Sequence, residues 1–157
     1  MKYVDTQVTF SEVPNEISLC INISNCPCHC KNCHSSYLAE DIGNLLDAKE
    51  LSKHININRG ITCVCLMGGD ATPNEVNKLA KTVKLDHPNL KVAWYSGKQE
   101  LSKGISLSWF DYIKLGPYKE ELGGLTSRKT NQRFYKVTHT SAGISKLYDM
   151  THQFWKK

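Results

Sequence analysis

Four cysteines within eight residues constrain this chain more than any other feature of its sequence. They are Cys26, Cys28, Cys30 and Cys33, and the 157 residues contain seven cysteines in all. An odd total, with four thiols on one short segment, is a poor framework for disulfides. No basic and apolar leader is visible at the N-terminus, so we expect a cytoplasmic protein in a reducing compartment. Clustered thiols in that setting indicate a metal site or catalysis.

The composition excludes several other classes of protein. The chain is 40% hydrophobic and 22% charged, which is typical of a globular domain, and we predict that residues 1–157 form one domain. No apolar run approaches the roughly 18 residues that indicate a membrane span. The net charge of +5 is too small to identify a nucleic-acid binder. We therefore expect neither a membrane nor a nucleic acid as a partner.

Apolar segments and helical patterns alternate along the first three quarters of the chain. We predict strands over 17–24, 61–67, 90–95 and 112–115. We predict helices from Ala48, from Pro73 to His87 and, more weakly, over 99–103. Such alternation is typical of parallel strands joined by right-handed crossovers.

The length of the chain narrows the fold class further. A complete barrel of eight strands and eight helices needs about 250 residues. We therefore expect an α/β fold built as an open, partial β/α barrel with a mostly parallel sheet, and its site at the carboxyl ends of the strands. The part after about residue 117 is expected to be less regular, with a possible edge strand over 134–138 and a final helix over 144–155. The open side of the sheet would leave a groove for a large partner.

The cysteine segment allows four interpretations. Cys26, Cys30 and Cys33 have the spacing C-x3-C-x2-C, which leaves one iron of a cubane cluster without a protein ligand. All four cysteines could instead hold zinc or a closed electron-transfer cluster, or they could be structural thiols without a metal. Structural zinc sites usually divide their ligands into two separated pairs, and no second pair with that spacing follows. Cys63 and Cys65 alternate along a buried strand and are expected to pack as small apolar residues.

Several motifs together resemble those of a known family. The C-x3-C-x2-C motif directly after a first strand resembles the signature of radical S-adenosylmethionine (SAM) enzymes. Met67 to Asp70 looks like the Gly-Gly-Glu/Asp motif of that superfamily, and Trp94 to Gly97 lies where its members often have Thr-Gly-Tyr. Asp111 to Tyr118 and Thr130 to Arg133 resemble the later half of the activating proteins of anaerobic ribonucleoside-triphosphate reductases.

The resemblance implies a set of site residues. Cys26, Cys30 and Cys33 would ligate a [4Fe–4S] cluster, whose fourth iron would be chelated by SAM. No catalytic residue beyond these ligands is implied. Cys28 departs from the pattern, and we expect it to point away from the cluster, although it could instead replace Cys26 or Cys30. The residues expected to bind SAM are Asn32, Cys33, His34, Gly68, Gly69, Asp70 and Ser96.

The resemblance also implies an activity. Such a protein is an oxidoreductase that cleaves SAM reductively, and the resulting 5′-deoxyadenosyl radical generates a glycyl radical on the large subunit of the anaerobic (class III) reductase. An external one-electron donor such as a flavodoxin would reduce the cluster. The alternatives are an activating enzyme for another glycyl-radical enzyme, a zinc-binding module and a closed-cluster electron carrier.

Overall fold

Eight β-strands form one open sheet in the computed structural model, which describes residues 1–156. Lys157, the last residue of the predicted domain, lies outside the described residues. The strands are β1 (Lys2–Thr9), β2 (Ser18–Ile23), β3 (Asn44–Leu45), β4 (Cys63–Met67), β5 (Lys91–Tyr95), β6 (Tyr112–Leu115), β7 (Arg133–His139) and β8 (Ser145–Asp149). Their order across the sheet is β3-β1-β2-β4-β5-β6-β7-β8.

Four parallel strands form the centre of the sheet. β2 pairs with β4, β4 with β5, and β5 with β6, in registers that place Cys20 opposite Cys65 and Leu66 opposite Trp94. These are the four strands predicted between residues 17 and 115, and they are confirmed. Because they are parallel, their carboxyl ends meet along one edge of the sheet, and the segments that follow them are neighbours there.

The outer strands are antiparallel, which corrects the predicted topology. β1 runs antiparallel to β2 and β3, and β7 runs antiparallel to β6 and β8. The expectation of a mostly parallel sheet is therefore wrong, since four of the seven neighbouring pairs are antiparallel. The reason lies in the connections: no α-helix lies between β1 and β2, between β6 and β7, or between β7 and β8, so these successive strands have no crossover helix and pair antiparallel. The expectation that the sheet is open is confirmed.

Two α-helices connect the central strands, and both begin where the sequence predicts. They are α1 (Ala48–Ile57) and α2 (Pro73–Asp86). The Asp47 side chain caps α1 by accepting a hydrogen bond from the backbone nitrogen of Glu50 at 2.8 Å. Pro73 occupies the start of α2, but Thr72 before it makes no side-chain capping bond. Within residues 1–156, no helix is both long enough and apolar enough to cross a membrane.

The two faces of the sheet pack differently. Val64 and Leu66 are fully buried in the larger core with α1 and α2, while Cys63 and Cys65 face the opposite side. The prediction that these two cysteines pack as apolar residues is confirmed, since both are 0% exposed. On their side of the sheet, which we call the inner face, Phe154 packs edge-on against Phe134 with ring centroids 5.1 Å apart. Part of this face is therefore covered by the chain itself.

The C-terminal part differs from the sequence prediction. The predicted helix over 144–155 is wrong, because these residues form β8 and a short 3₁₀ turn at Thr151–Phe154. The weak helix predicted over 99–103 is also wrong, since that segment lies in a loop. The predicted strand over 134–138 is confirmed as β7, but β8 pairs with it, so it is not an edge strand. β1 was not predicted.

The capping of the two helices leads to a test of the fold. Asp47→Ala removes a capping hydrogen bond and should lower the free energy of unfolding by about 1 kcal/mol. Thr72→Ala is the matched control, and it should cost less because the Thr72 side chain makes no such bond. Urea denaturation of both variants measures the difference. Equal losses in the two variants would contradict the assigned role of Asp47.

Candidate metal centre

The cysteine loop, residues 24–35, follows β2 directly and is held in place by the segment after it. The backbone nitrogen of Asn25 donates to the carbonyl of Glu40 at 2.9 Å. The backbone nitrogen of Cys26 donates to the carbonyl of Leu38 at 2.8 Å. These bonds fix the start of the loop at the carboxyl edge of the parallel strands.

Left-handed backbone conformations shape the rest of the loop. Asn25, His29 and Asn32 have φ angles of 60°, 45° and 56°. Asparagine and histidine adopt this region more readily than most side chains, because their short polar groups can hydrogen-bond locally. The resulting turns allow a short segment to present several side chains to the same side.

All four cysteines of the loop line one cavity of about 190 Å³, which we call the thiol cavity. The opposite walls come from the carboxyl ends of β4 and β5, and from β6. Of the residues predicted from the sequence, this cavity is lined by Cys26, Cys30, Cys33, Gly68, Asp70 and Ser96. Strands that are distant in sequence thus bring the two predicted motifs to one place.

Cys28 also faces this cavity, contrary to our expectation that it points away. Its Sγ lies 3.8 Å from an oxygen of Asp70, and a Cβ added at Gly97 would stand only 2.7 Å from it. Burial raises the pKa of the Cys28 thiol to about 12, with smaller contributions from Asp70 and Cys26. The isolated thiol is therefore held in its neutral form.

Asp70 is buried at the edge of the thiol cavity and held by several hydrogen bonds. It is 2% exposed, and its carboxylate accepts hydrogen bonds from Ser96 Oγ at 2.5 Å and from the backbone nitrogen of Gly97 at 2.8 Å. Both donors follow β5, so the parallel register of β4 and β5 creates this contact. Ser96, predicted as a ligand of the cofactor, is therefore also the residue that orients Asp70.

The two glycines before Asp70 have different surroundings. Gly68 and Gly69 have φ angles of 100° and 87°, a region that favours glycine. Gly68 lines the thiol cavity, and its carbonyl accepts a hydrogen bond from Trp94 Nε1 at 2.7 Å. A Cβ at Gly69 would meet Val76 of α2 at 2.5 Å, so this glycine is needed for packing of the turn against the helix.

Asn32 and His34 lie at the outer side of the site. Asn32 is exposed and donates to Glu120 at 2.6 Å. The His34 ring lies 5.7 Å from the ring of Tyr118, measured between centroids. Neither lines the thiol cavity, whereas His34 lines a neighbouring one. These contacts join the cysteine loop to the segment after β6.

Lys114 is the functional candidate that the sequence did not reveal. It is 8% exposed, lines the thiol cavity and donates from Nζ to the carbonyls of Gly116 at 2.7 Å and Ser96 at 3.2 Å. Burial lowers its pKa to about 8, although Asp70 and the loop cysteines act in the opposite direction. A lysine in a short strand gives no sequence signal of burial, because the residues that cover it come from distant loops.

A second cavity of about 520 Å³, which we call the large cavity, adjoins the first. Cys33, Lys114 and Gln132 line both cavities. Apolar side chains form much of its wall, among them Met67, Tyr95, Leu125 and Phe154. The segments that cover the inner face therefore leave a pocket beside the cysteine loop that is open to solvent.

The trio Asn131, Gln132 and Arg133, whose roles the sequence left open, divides into two kinds of residue. The Asn131 amide donates to the carbonyl of Pro117 at 3.0 Å, and Arg133 donates to the carbonyl of Thr130 at 2.8 Å. Both contacts hold the loop together. Gln132 is the member of the trio that lines the cavities.

The donor set fits an iron–sulfur cluster. Thiolates are soft ligands that suit iron–sulfur clusters and zinc. Among residues 1–156, no three histidine, cysteine or acidic side chains are gathered closely enough to hold one metal ion. A cubane makes a different demand, because each of its thiolates binds a different iron. Cys26, Cys30 and Cys33 would hold such a cluster, and Lys114 would offset part of its negative charge.

The fold and site together define an α/β protein with a thiol-lined cavity at the carboxyl edge of its sheet. The family model of the 4Fe-4S single cluster domain matches residues 17–123, which is more than half of the chain. The chain therefore belongs to this family, and an iron–sulfur cofactor follows from that membership. No curated protein and no solved structure matches the chain.

The buried charge of Lys114 leads to a prediction for the protein without its cofactors. At pH 7 both the folded and the unfolded chain are protonated at this residue, and the folded state carries the full cost of burying the ammonium group. Lys114→Met removes that cost and should stabilise the protein by about 1–3 kcal/mol at pH 7. Thermal unfolding measures the difference, with the exposed Lys119→Met as the matched control.

The lowered pKa of Lys114 also predicts how the stability of the protein changes with pH. The pKa of Lys114 is about 8 in the folded state and 10.5 ordinarily, so between these values the unfolded chain binds more protons. Stability of the wild type should therefore rise with pH across this window, and the advantage of Lys114→Met should shrink. A Lys114→Met variant that is less stable than wild type at every pH would contradict the assignment.

Proposed function

We propose that this protein is a radical SAM enzyme that activates the anaerobic (class III) ribonucleoside-triphosphate reductase. The observation that carries the proposal is the composition of the thiol cavity. Cys26, Cys30 and Cys33 share it with the carboxylate of Asp70 and the ammonium group of Lys114. Soft metal ligands, an anion and a cation thus surround one space. This combination suits a cluster together with a zwitterionic ligand.

The three cysteines of the C-x3-C-x2-C motif would hold three irons and leave the fourth for SAM. When bound, the cluster supplies one electron for the reductive cleavage of SAM. The protein's own part is to bind, to orient and to exclude water from the reacting groups. We assign no further residue to the chemical step itself.

Asp70 would receive the ammonium group of the cofactor. A carboxylate accepts hydrogen bonds from such a group, and Ser96 and Gly97 hold this one in a fixed orientation. The same two contacts limit its freedom to turn toward solvent. Asp70 would therefore be preorganised before the ligand arrives, which reduces the entropy cost of binding.

Lys114 would supply a positive charge, opposite to that of the Asp70 carboxylate. Two of the three protons on its Nζ are engaged by carbonyl oxygens, so one donor remains for an anionic group in the cavity. A buried ammonium group is costly without an anion nearby. The thiolates of a bound cluster, or a carboxylate group of the ligand, would supply that anion.

The large cavity supports a protein substrate. It adjoins the thiol cavity and has much of its wall formed by apolar side chains, so a segment of another protein could approach the cofactor without bulk water. The partner that we propose is the large subunit of the reductase, with its reactive glycine near the C-terminus. An external one-electron donor such as a flavodoxin would reduce the cluster.

Anaerobic reconstitution tests the proposal. The protein is loaded with iron and sulfide, reduced with dithionite and supplied with SAM, and we expect release of 5′-deoxyadenosine. Addition of the large subunit should then produce a glycyl radical detectable by electron paramagnetic resonance. Intact SAM after reduction would point to a closed-cluster electron carrier. Zinc without iron or sulfide would point to a binding module.

Single cysteine substitutions lead to a more specific prediction. Cys26→Ser, Cys30→Ser and Cys33→Ser should each lose most of the bound iron and sulfide, because each removes a thiolate from a cluster with only three. Cys28→Ser is the matched control from the same loop and should retain the cluster. Iron and sulfide analysis after reconstitution measures this, and circular dichroism checks folding. Loss of the cluster in Cys28→Ser with retention in Cys26→Ser or Cys30→Ser would show that Cys28 replaces that ligand.

A further inference from the structure

Gln132 lies where the thiol cavity and the large cavity meet. It lines both of them and is only 7% exposed. Glutamine is mostly found at the surface of proteins, because its amide loses hydrogen bonds to water when it is buried. The side-chain amide of a buried glutamine that lines two cavities therefore needs hydrogen-bond partners.

The orientation of the Gln132 amide is set by its neighbours. Its Nε2 faces the carbonyl oxygen of Gly116 at 3.5 Å, and the reverse orientation would oppose two oxygen atoms. Oε1 lies on the side of Gly124, where an added Cβ would stand 3.9 Å from it. Gly124 lines the large cavity and not the thiol cavity. Oε1 accepts no hydrogen bond from residues 1–156, and it is not one of their fully buried polar atoms, so it keeps some contact with solvent.

The backbone of Gln132 is held firmly. Its backbone nitrogen donates to Thr130 Oγ1 at 3.1 Å, and the Thr130 hydroxyl in turn donates to the carbonyl of Gly123 at 3.1 Å. Thr130 is itself 4% exposed. A Cβ added at Gly116 would lie 3.0 Å from the Cα of Gln132, so the two segments are in close contact. The free oxygen is thus presented from a fixed position.

An acceptor that lines a cavity and has no protein partner can take a donor from a ligand. The ammonium group of the cofactor would already have Asp70 as its acceptor in the thiol cavity. A polypeptide segment in the large cavity, by contrast, leaves the water that satisfied its main-chain N–H groups. Each such group needs a new acceptor, because an unpaired N–H in an apolar space is costly.

We propose that Gln132 Oε1 accepts a hydrogen bond from a main-chain N–H of the protein substrate in the large cavity. This inference rests on the proposed function and adds to it a residue that positions the substrate segment. Main-chain recognition suits a segment around a glycine, which offers no side chain to bind. Gln132 would therefore fix how deeply that segment enters without dictating its side chains.

Peptide binding tests this inference without turnover. The probe is a short synthetic peptide that spans the reactive glycine of the large reductase subunit, with a set of variants in which one amide at a time is N-methylated. Binding to the reconstituted protein with SAM, in the absence of reductant, is measured by fluorescence anisotropy. Gln132→Met keeps the length of the side chain and removes the acceptor. Gln7→Met makes the same change at an exposed position of β1 and is the matched control.

The expected result is a coupling between protein and peptide. N-methylation at one position should weaken binding to wild type and to Gln7→Met by about threefold to tenfold, the size of one neutral hydrogen bond. Gln132→Met should bind the unmodified peptide about threefold to tenfold more weakly than wild type does. N-methylation at the same position should not weaken the binding of the peptide to Gln132→Met any further. Its affinity for SAM should be unchanged.

Three outcomes would overturn the inference. In the first, N-methylation of the peptide weakens its binding to Gln132→Met as much as to wild type at every position, which would show that Oε1 does not accept a hydrogen bond from the peptide. A loss of SAM affinity in Gln132→Met with unchanged peptide binding would place the amide at the cofactor. A wild type that cleaves SAM but does not bind the peptide would leave the radical chemistry standing and reject the substrate segment.

Discussion

The parallel register of β2, β4, β5 and β6 is the constraint on which the site depends. It places the carboxyl ends of four strands along one edge, and each strand contributes a different chemical group there. The cysteine loop follows β2, Asp70 follows β4, Ser96 follows β5, and Lys114 lies within β6. A slip of one residue in any of these pairs would reverse which side chains face the cavity. The hydrophobic core with α1 and α2 prevents such a slip.

Two polar side chains of the site, Lys114 and Cys28, lower the stability of the folded protein, and burial of apolar residues in the core must offset this loss. Lys114 is an ammonium group away from water, and its two hydrogen bonds are to neutral carbonyl oxygens rather than to a carboxylate. Cys28 is a thiol whose pKa is raised to about 12, mainly by burial. Polar groups of this kind would be stabilised by a bound ligand that supplies a complementary charge. The folded protein is therefore less stable than it would be without these polar groups, but its binding site is preorganised.

Sequence patterns predicted the central part of the fold and singled out six of the residues that line the thiol cavity. Strong local signals account for this success: the continuous apolar run that became β4, the Asp47 cap of α1 and the Pro73 start of α2. The thiol spacing and the Gly-Gly-Asp turn followed two of these strands, so their meeting at one edge could be anticipated. The direction of Cys28 could not be predicted, because Cys28 lies against Gly97 in the segment after β5, which is distant in sequence.

The remaining errors have a common physical origin. The polar and apolar residues over 145–149 suit a helix or a strand, and pairing with β7 decides in favour of the strand. Lys114 and Gln132 look like ordinary surface residues in the sequence, and segments that are distant along the chain bury them. Local sequence patterns indicate local structure, whereas the burial of both residues results from contacts between segments that are distant in the sequence.

The central claim is that three thiolates hold a cluster with one iron open to SAM. Mössbauer spectroscopy of the protein reconstituted with ⁵⁷Fe, recorded with and without SAM, tests it most directly. The account predicts that one iron of the cluster changes its isomer shift when SAM is added, while the other three do not. A spectrum in which all the irons remain unchanged would show a closed cluster and contradict the account.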